Sequence, residues 1–114
     1  MNAQEFLDRL ARLPDLLAIA RQQVKMDYYP IQNQLREQGR QDGKPFHYSM
    51  PMRHLYTCST CGHRNTDVRH ELEDPRRQAV HKFEEEMLHL ARVHGIPPDE
   101  ETAAFLLQCT EESR

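Results

Sequence analysis

Apolar residues recur at spacings of three and four in AQEFLDRLARL, residues 3–13, where Phe6, Leu7, Leu10 and Leu13 fall on one side of the chain. That period predicts an amphipathic helix. A second helix is expected to open at Pro14 or Asp15, since proline suits a first helical position, and to run through Leu16, Leu17, Ile19, Ala20 and Val24. The two are expected to pack as a helical hairpin. Pro30 breaks or kinks the pattern, IQNQLREQG adds a turn or two before Gly39, and GRQDGKPFHYSMPM, with two Gly and two Pro, reads as a loop or extended connection.

Beyond it the period changes. Arg53 to Leu72 is short, β-tolerant and bounded by turn residues, which predicts a hairpin with CSTCG at its tip. Asp74-Pro75 is then expected to cap and open a long helix through RRQAVHKFEEEMLHLARVHG to a stop at Gly95, with Val80, Phe83, Met87, Leu90 and Ala91 as its apolar stripe. Ile96-Pro97-Pro98 turns the chain into a short last helix, DEETAAFLLQC, with acids at its positive end. The fold class is therefore α+β and mostly helical. Its expected organisation is an N-terminal helical segment, 1–45, and a ββα segment with a C-terminal helix, 46–114, in one compact domain.

At 114 residues, such a chain buries one small core and is near the size at which domains recruit a metal or a partner as a staple. The absence of an apolar run of roughly 18 residues, and an N-terminus without a basic-then-apolar layout, point away from membrane spans and secretion and toward the cytoplasm. In that setting a thiol pair holds metal or does redox chemistry more readily than it forms a structural disulfide. Cys109, the odd cysteine, is expected to be a buried small hydrophobe.

The pair lies in YTCSTCGHRN, residues 56–65. Cys58 and Cys61, two residues apart in a tight turn completed by Gly62, can deliver two sulfurs to one ion. A redox pair would want the first Cys at a helix N-terminus, and Gly-His-Arg-Asn is a poor helix start. Two further ligands are sought among the histidines. If the hairpin leaves the knuckle for about eight residues it travels ~26 Å, and a helix from Pro75 returns ~21 Å by His89 and ~28 Å by His94. His89 and His94 are the expected ligands, with His63 and Cys109 as rivals. At about 100° per residue the two histidines share a side only if the last turn widens, as in a π-bulge.

YTCSTC followed by HLARVH resembles a ββα zinc finger with two Cys and two His ligands, over residues 54–95. The resemblance implies a structural Zn2+ held by Cys58, Cys61, His89 and His94. The 27-residue spacer between Cys61 and His89 exceeds the family's usual spacing of about a dozen, which a longer hairpin and helix would explain together.

The remaining chemistry is plainer. His47, His54, His70 and His81 are expected at the surface or in turns, His81 paired with Glu85 in solvent, and Glu84, Glu85 and Glu86 on a solvated face. Tyr28, Tyr29, Phe46, Tyr48 and Met50-Pro51-Met52 are expected in the core rather than on an exposed binding surface. The charge of −3 is uneven: Lys and Arg outnumber acids over 21–53, and the reverse holds over 83–114. A regulatory or adaptor module follows, with a protein or nucleic-acid partner, the latter drawing on Arg36, Arg40, Lys44, Arg53, Arg64, Arg69, Arg76 and Arg77. The N-terminal helices offer a homodimer surface. The alternatives are a redox-sensing Cys pair, and a small zinc enzyme with an open coordination position and Glu71 or one of Glu84–Glu86 as base. The HExxH spacing of zinc proteases is absent.

Overall fold

The computed structural model describes residues 1–23 and 32–111; Val24, Tyr28, Tyr29 and Pro30 lie outside them. Helix α1, Ala3–Leu10, starts at Asn2, whose side-chain oxygen accepts from the Glu5 N–H at 2.8 Å, and it buries Ala3, Phe6 and Leu10 as its period requires. Leu13 lies just past its end. Helix α2, Leu16–Gln23, begins behind Asp15 rather than at Pro14: Asp15 Oδ1 accepts from the Ala18 N–H at 3.2 Å, the N-cap arrangement.

Helix α3, Gln32–Asp42, does not stop at Gly39 but runs through it to Gly43, which takes the left-handed conformation at φ 70°. Gly39 is there for contact, since a Cβ at that position would lie 2.7 Å from the Phe46 ring and 2.8 Å from Leu16 Cδ1.

Three antiparallel strands follow in the order β1-β2-β3, with β1 at Phe46–Thr57, β2 at Arg64–Asp74 and β3 at Ala79–Glu84. Helix α4, Glu85–His94, and helix α5, Glu100–Thr110, complete the α+β chain. The strand β1 thus begins at Phe46, well inside the stretch read as a connection, and accommodates Pro51 because it is an edge strand; the β1–β2 register shifts between Pro51 and Leu55.

The long helix expected from Pro75 is a second correction. Asp74 does cap backbone N–H groups, but those of a turn: its Oδ1 accepts from the Arg76 N–H at 3.1 Å and its carbonyl from Arg77. The chain then returns as β3, in which Phe83 is buried while Val80, Lys82 and Glu84 are exposed. Val80 and Phe83 suit a helical stripe and a strand equally until pairing with β2 decides between them.

Register assigns the faces. His47 lies opposite Leu72, His81 opposite Leu72 from the other side, and Phe83 opposite His70. Against this face pack α1, α4 and α5, burying Phe6, Leu10, Leu72, Phe83, Leu88, Ala91 and Leu106 together. A second cluster forms from Leu17, Phe46 and Tyr48, with Leu16, Ala20, Leu35 and Met50 around it. The first two helices, expected to pack on each other, therefore bury into different clusters, and Phe6 and Leu10 are spent inside the chain. Phe46 and Tyr48 are core residues as expected.

The sheet also decides the histidines. His47 and His70 are buried, against expectation, because both point to the covered face of the sheet. His81 does not pair with Glu85 in solvent; its Nε2 lies 2.7 Å from Thr102 Oγ1 in α5, and Glu85 bonds His70 instead. His54 is exposed, beside Asp67 at 2.7 Å. No helix among the described residues is long and apolar enough to cross a membrane.

Candidate metal centre

The knuckle joining β1 and β2 is built by its own backbone. Cys58 N–H donates to the His63 carbonyl and Gly62 N–H to the Cys58 carbonyl, both at 2.9 Å, and Gly62 adopts φ 72°, where a side chain would be strained. The Thr60 N–H reaches the Cys58 sulfur at 3.4 Å. The Cys58 thiol is lowered from its ordinary range: burial opposes the shift, and hydrogen bonds from the Cys61 and Thr60 backbones and the Cys61 side chain outweigh it.

The other half comes from α4. From the knuckle, β2 carries the chain ~33 Å away, β3 brings it back ~17 Å and α4 the remaining ~15 Å, so the helix C-terminus arrives beside the Cys pair. The last turn is wide: both the Gly95 and Ile96 N–H groups bond to the Leu90 carbonyl, the first spanning five residues, and Gly95 closes it at φ 64°. The widened turn sets the His89 and His94 rings 5.3 Å apart on one side of α4.

Four side chains converge as a result. One ligand-type atom from each of Cys58, Cys61, His89 and His94 lies within 4.8 Å of the others. The Cys58 sulfur is 3.7 Å from His94 Nε2, and the Cys61 sulfur 3.5 Å from His89 Nε2. An ion bonded to sulfur at ~2.3 Å and to nitrogen at ~2.05 Å in a tetrahedron has S to N edges of ~3.6 Å. Both contacts lie close to that edge, and the four side chains form a group that could hold a metal ion. This is the one group of three or more metal-type side chains among the described residues. The rivals stand outside it. His63 is exposed and stacks 6.4 Å from His89, and Cys109 is buried in α5, where burial pushes its thiol up to about 12.

Sequence reading missed the group that steadies the knuckle. Glu86, expected on a solvated face, accepts the Ser59 N–H at 3.0 Å and so joins the first turn of α4 to the loop. Nothing local in the sequence marks it. It also missed the burial of His70, although Val68, His70 and Leu72 alternate in the sequence as one strand face should.

Four of the eight basic residues singled out from the sequence are paired. Arg36 bonds Glu71 at 3.2 Å and lies over the Tyr48 ring, Arg40 holds Glu73 through two nitrogens, and Arg76 and Arg77 both face Asp74. Lys44, Arg53, Arg64 and Arg69 make no ion pair among the described residues. No family model, curated protein or solved structure matches this chain.

Proposed function

We propose that Cys58, Cys61, His89 and His94 bind one Zn2+ as a closed structural site, and that the chain works as a small regulatory or adaptor module. The convergence of the four donors, with both S to N distances at the tetrahedral edge, carries the reading. A four-ligand site supplies folding energy and leaves no coordination position for a substrate. Three of the four acids offered as an enzyme's base are engaged elsewhere, Glu86 with the Ser59 N–H, Glu85 with His70 and Glu71 with Arg36, and the fourth, Glu84, is exposed on β3. The thiols call for a reducing compartment, and the cytoplasm is the location proposed.

A macromolecular partner belongs to the same reading. Arg53, Arg64 and Arg69 sit on the β1–β2 hairpin that the metal would anchor, with their charges uncommitted to described acids, and they are the proposed contact for an anionic partner surface.

Native mass spectrometry with elemental analysis tests the site. One zinc per chain is expected in the unaltered protein, lost in Cys58→Ser and in the His89→Ala, His94→Ala double variant and retained in His63→Ala. A metal-free unaltered protein that takes up no added zinc would overturn the proposal.

A further inference from the structure

On the covered face of the sheet, away from the knuckle, a cavity of roughly 470 Å³ opens between α1 and the strands. That volume is in the range of small-molecule sites. Leu7, Leu10 and Leu13 form its apolar wall, and Asp15, His47 and Ser49 stand among its polar groups. A chain of hydrogen bonds runs beneath it. His47 Nε2 lies 2.8 Å from His70 Nδ1, and His70 Nε2 lies 2.6 Å from Glu85 Oε2, whose other oxygen is 3.8 Å from the Arg92 guanidinium.

The carboxylate orients the chain. Glu85 accepts from His70 Nε2; with a single proton on the His70 ring, its Nδ1 accepts and His47 donates from Nε2, which leaves His47 Nδ1 as a lone pair. That atom is 3.7 Å from Asp15 Oδ2, beyond hydrogen-bond reach, on a residue 6% exposed. His47 is neutral, its basicity lowered to about 4 by burial, which outweighs Asp15. Ser49 in turn gives its hydroxyl hydrogen to Asp15 Oδ2 and its N–H to Oδ1.

The hydrogens of this network are therefore committed inward, and it presents acceptors to the cavity at the Asp15 end, His47 Nδ1 and Asp15, while the Arg92 guanidinium lines the cavity at the Glu85 end. Arg92 stands beside Glu85, whereas no Lys or Arg pairs with Asp15 among the described residues. A bare metal ion is a poor fit, because these groups do not gather within metal-ligand distance as the knuckle residues do.

We propose that this cavity binds a small organic cation, a primary ammonium group on an apolar body, with the ammonium donating to His47 Nδ1 and Asp15 and the body against Leu7, Leu10 and Leu13. The observation is the juxtaposition of a buried, unpartnered imidazole acceptor, a carboxylate without a cationic partner and a leucine wall around one cavity.

The test is histidine side-chain NMR on the full chain, with hexylammonium, hexanol and hexanoate as probes. Without probe, His47 should appear as a neutral Nε2–H tautomer. Hexylammonium should shift the His47 ring saturably with a roughly millimolar Kd, as expected of a fragment of this size. Hexanol and hexanoate should bind at least about tenfold more weakly, and Asp15→Asn, which keeps a capping oxygen, should weaken hexylammonium by about tenfold. An Nδ1–H tautomer at His47, no saturation, or equal binding of hexanoate or hexanol would overturn the proposal. The probe comparison on the unaltered chain decides it even if Asp15→Asn unfolds.

Discussion

Removing the metal is the perturbation that separates a zinc site from four side chains that merely touch. The two S to N contacts, at 3.7 and 3.5 Å, are also within reach of thiol–imidazole hydrogen bonds. Bonds of that kind would contribute about 1 kcal/mol each and would ignore zinc. An ion bound only by the folded chain instead stabilises by RT ln(1 + [Zn]/Kd), about 2.7 kcal/mol at a hundredfold excess over Kd and about 1.4 kcal/mol for each further tenfold. At ~4–8 °C per kcal/mol for a domain near this size, the melting temperature should rise by ~10–20 °C at that excess.

The structure also says where the loss begins. Past the register shift at Pro51–Leu55 the hairpin has little packing to hold it, with Leu55 52% exposed, so its distal half depends on the tie from the Cys pair to α4. The assay is a series of thermal melts in chelator-buffered zinc, joined to amide hydrogen exchange. The unaltered chain should show the logarithmic slope of one ion, and residues 55–66 should lose protection first on chelation. Cys58→Ser should melt at one temperature throughout. A flat response of the unaltered chain across the zinc range would refute the metal reasoning and leave the hydrogen-bonded alternative.

Three further outcomes are expected. Gly39→Ala should destabilise by ~1–3 kcal/mol in urea titration, because the added methyl meets the Phe46 ring at 2.7 Å and Leu16 at 2.8 Å across the α2–α3–β1 packing. On chelation at pH 8 iodoacetamide should label Cys61 and then Cys58, read by peptide mass spectrometry. Cys109, buried and with its thiol pushed up to about 12, should stay unlabelled until denaturant is added. Asp99→Ala should cost ~1 kcal/mol at neutral pH, since Asp99 Oδ1 accepts the Thr102 N–H at 2.7 Å and caps α5. The Thr102 hydroxyl and N–H bonds hold the Asp99 carboxyl below its ordinary value of 3.8, so this contribution is present above 3.8 and fades as pH falls through the lowered folded value. Acid melts of the variant and the unaltered chain should therefore converge at low pH.

Part of the candidate site is local chemistry, which is why it could be read from the sequence. Two cysteines two residues apart before a glycine make a knuckle wherever they occur in such a turn, whereas His89 and His94, expected from a helix beginning at Pro75, are instead brought back by β3 and α4 and share a side because the last turn of α4 widens. The α1 stripe of Phe6 and Leu10 and the Asp99-capped last helix are local in the same way as the knuckle. Tertiary structure decided what depends on partners distant in the chain. Ala79–Glu84 became a strand because β2 offered it a ladder, and Phe83 found its place opposite His70. His47 and His70 were buried because register, not residue type, set which face of the sheet each occupies. Glu85 and Glu86 left solvent for His70 and the knuckle because α4 begins directly at the end of β3. Periodicity and turn chemistry are properties of neighbouring residues and are written along the chain; pairing, register and the neutralisation of buried charge are settled only between segments, once the sheet has closed.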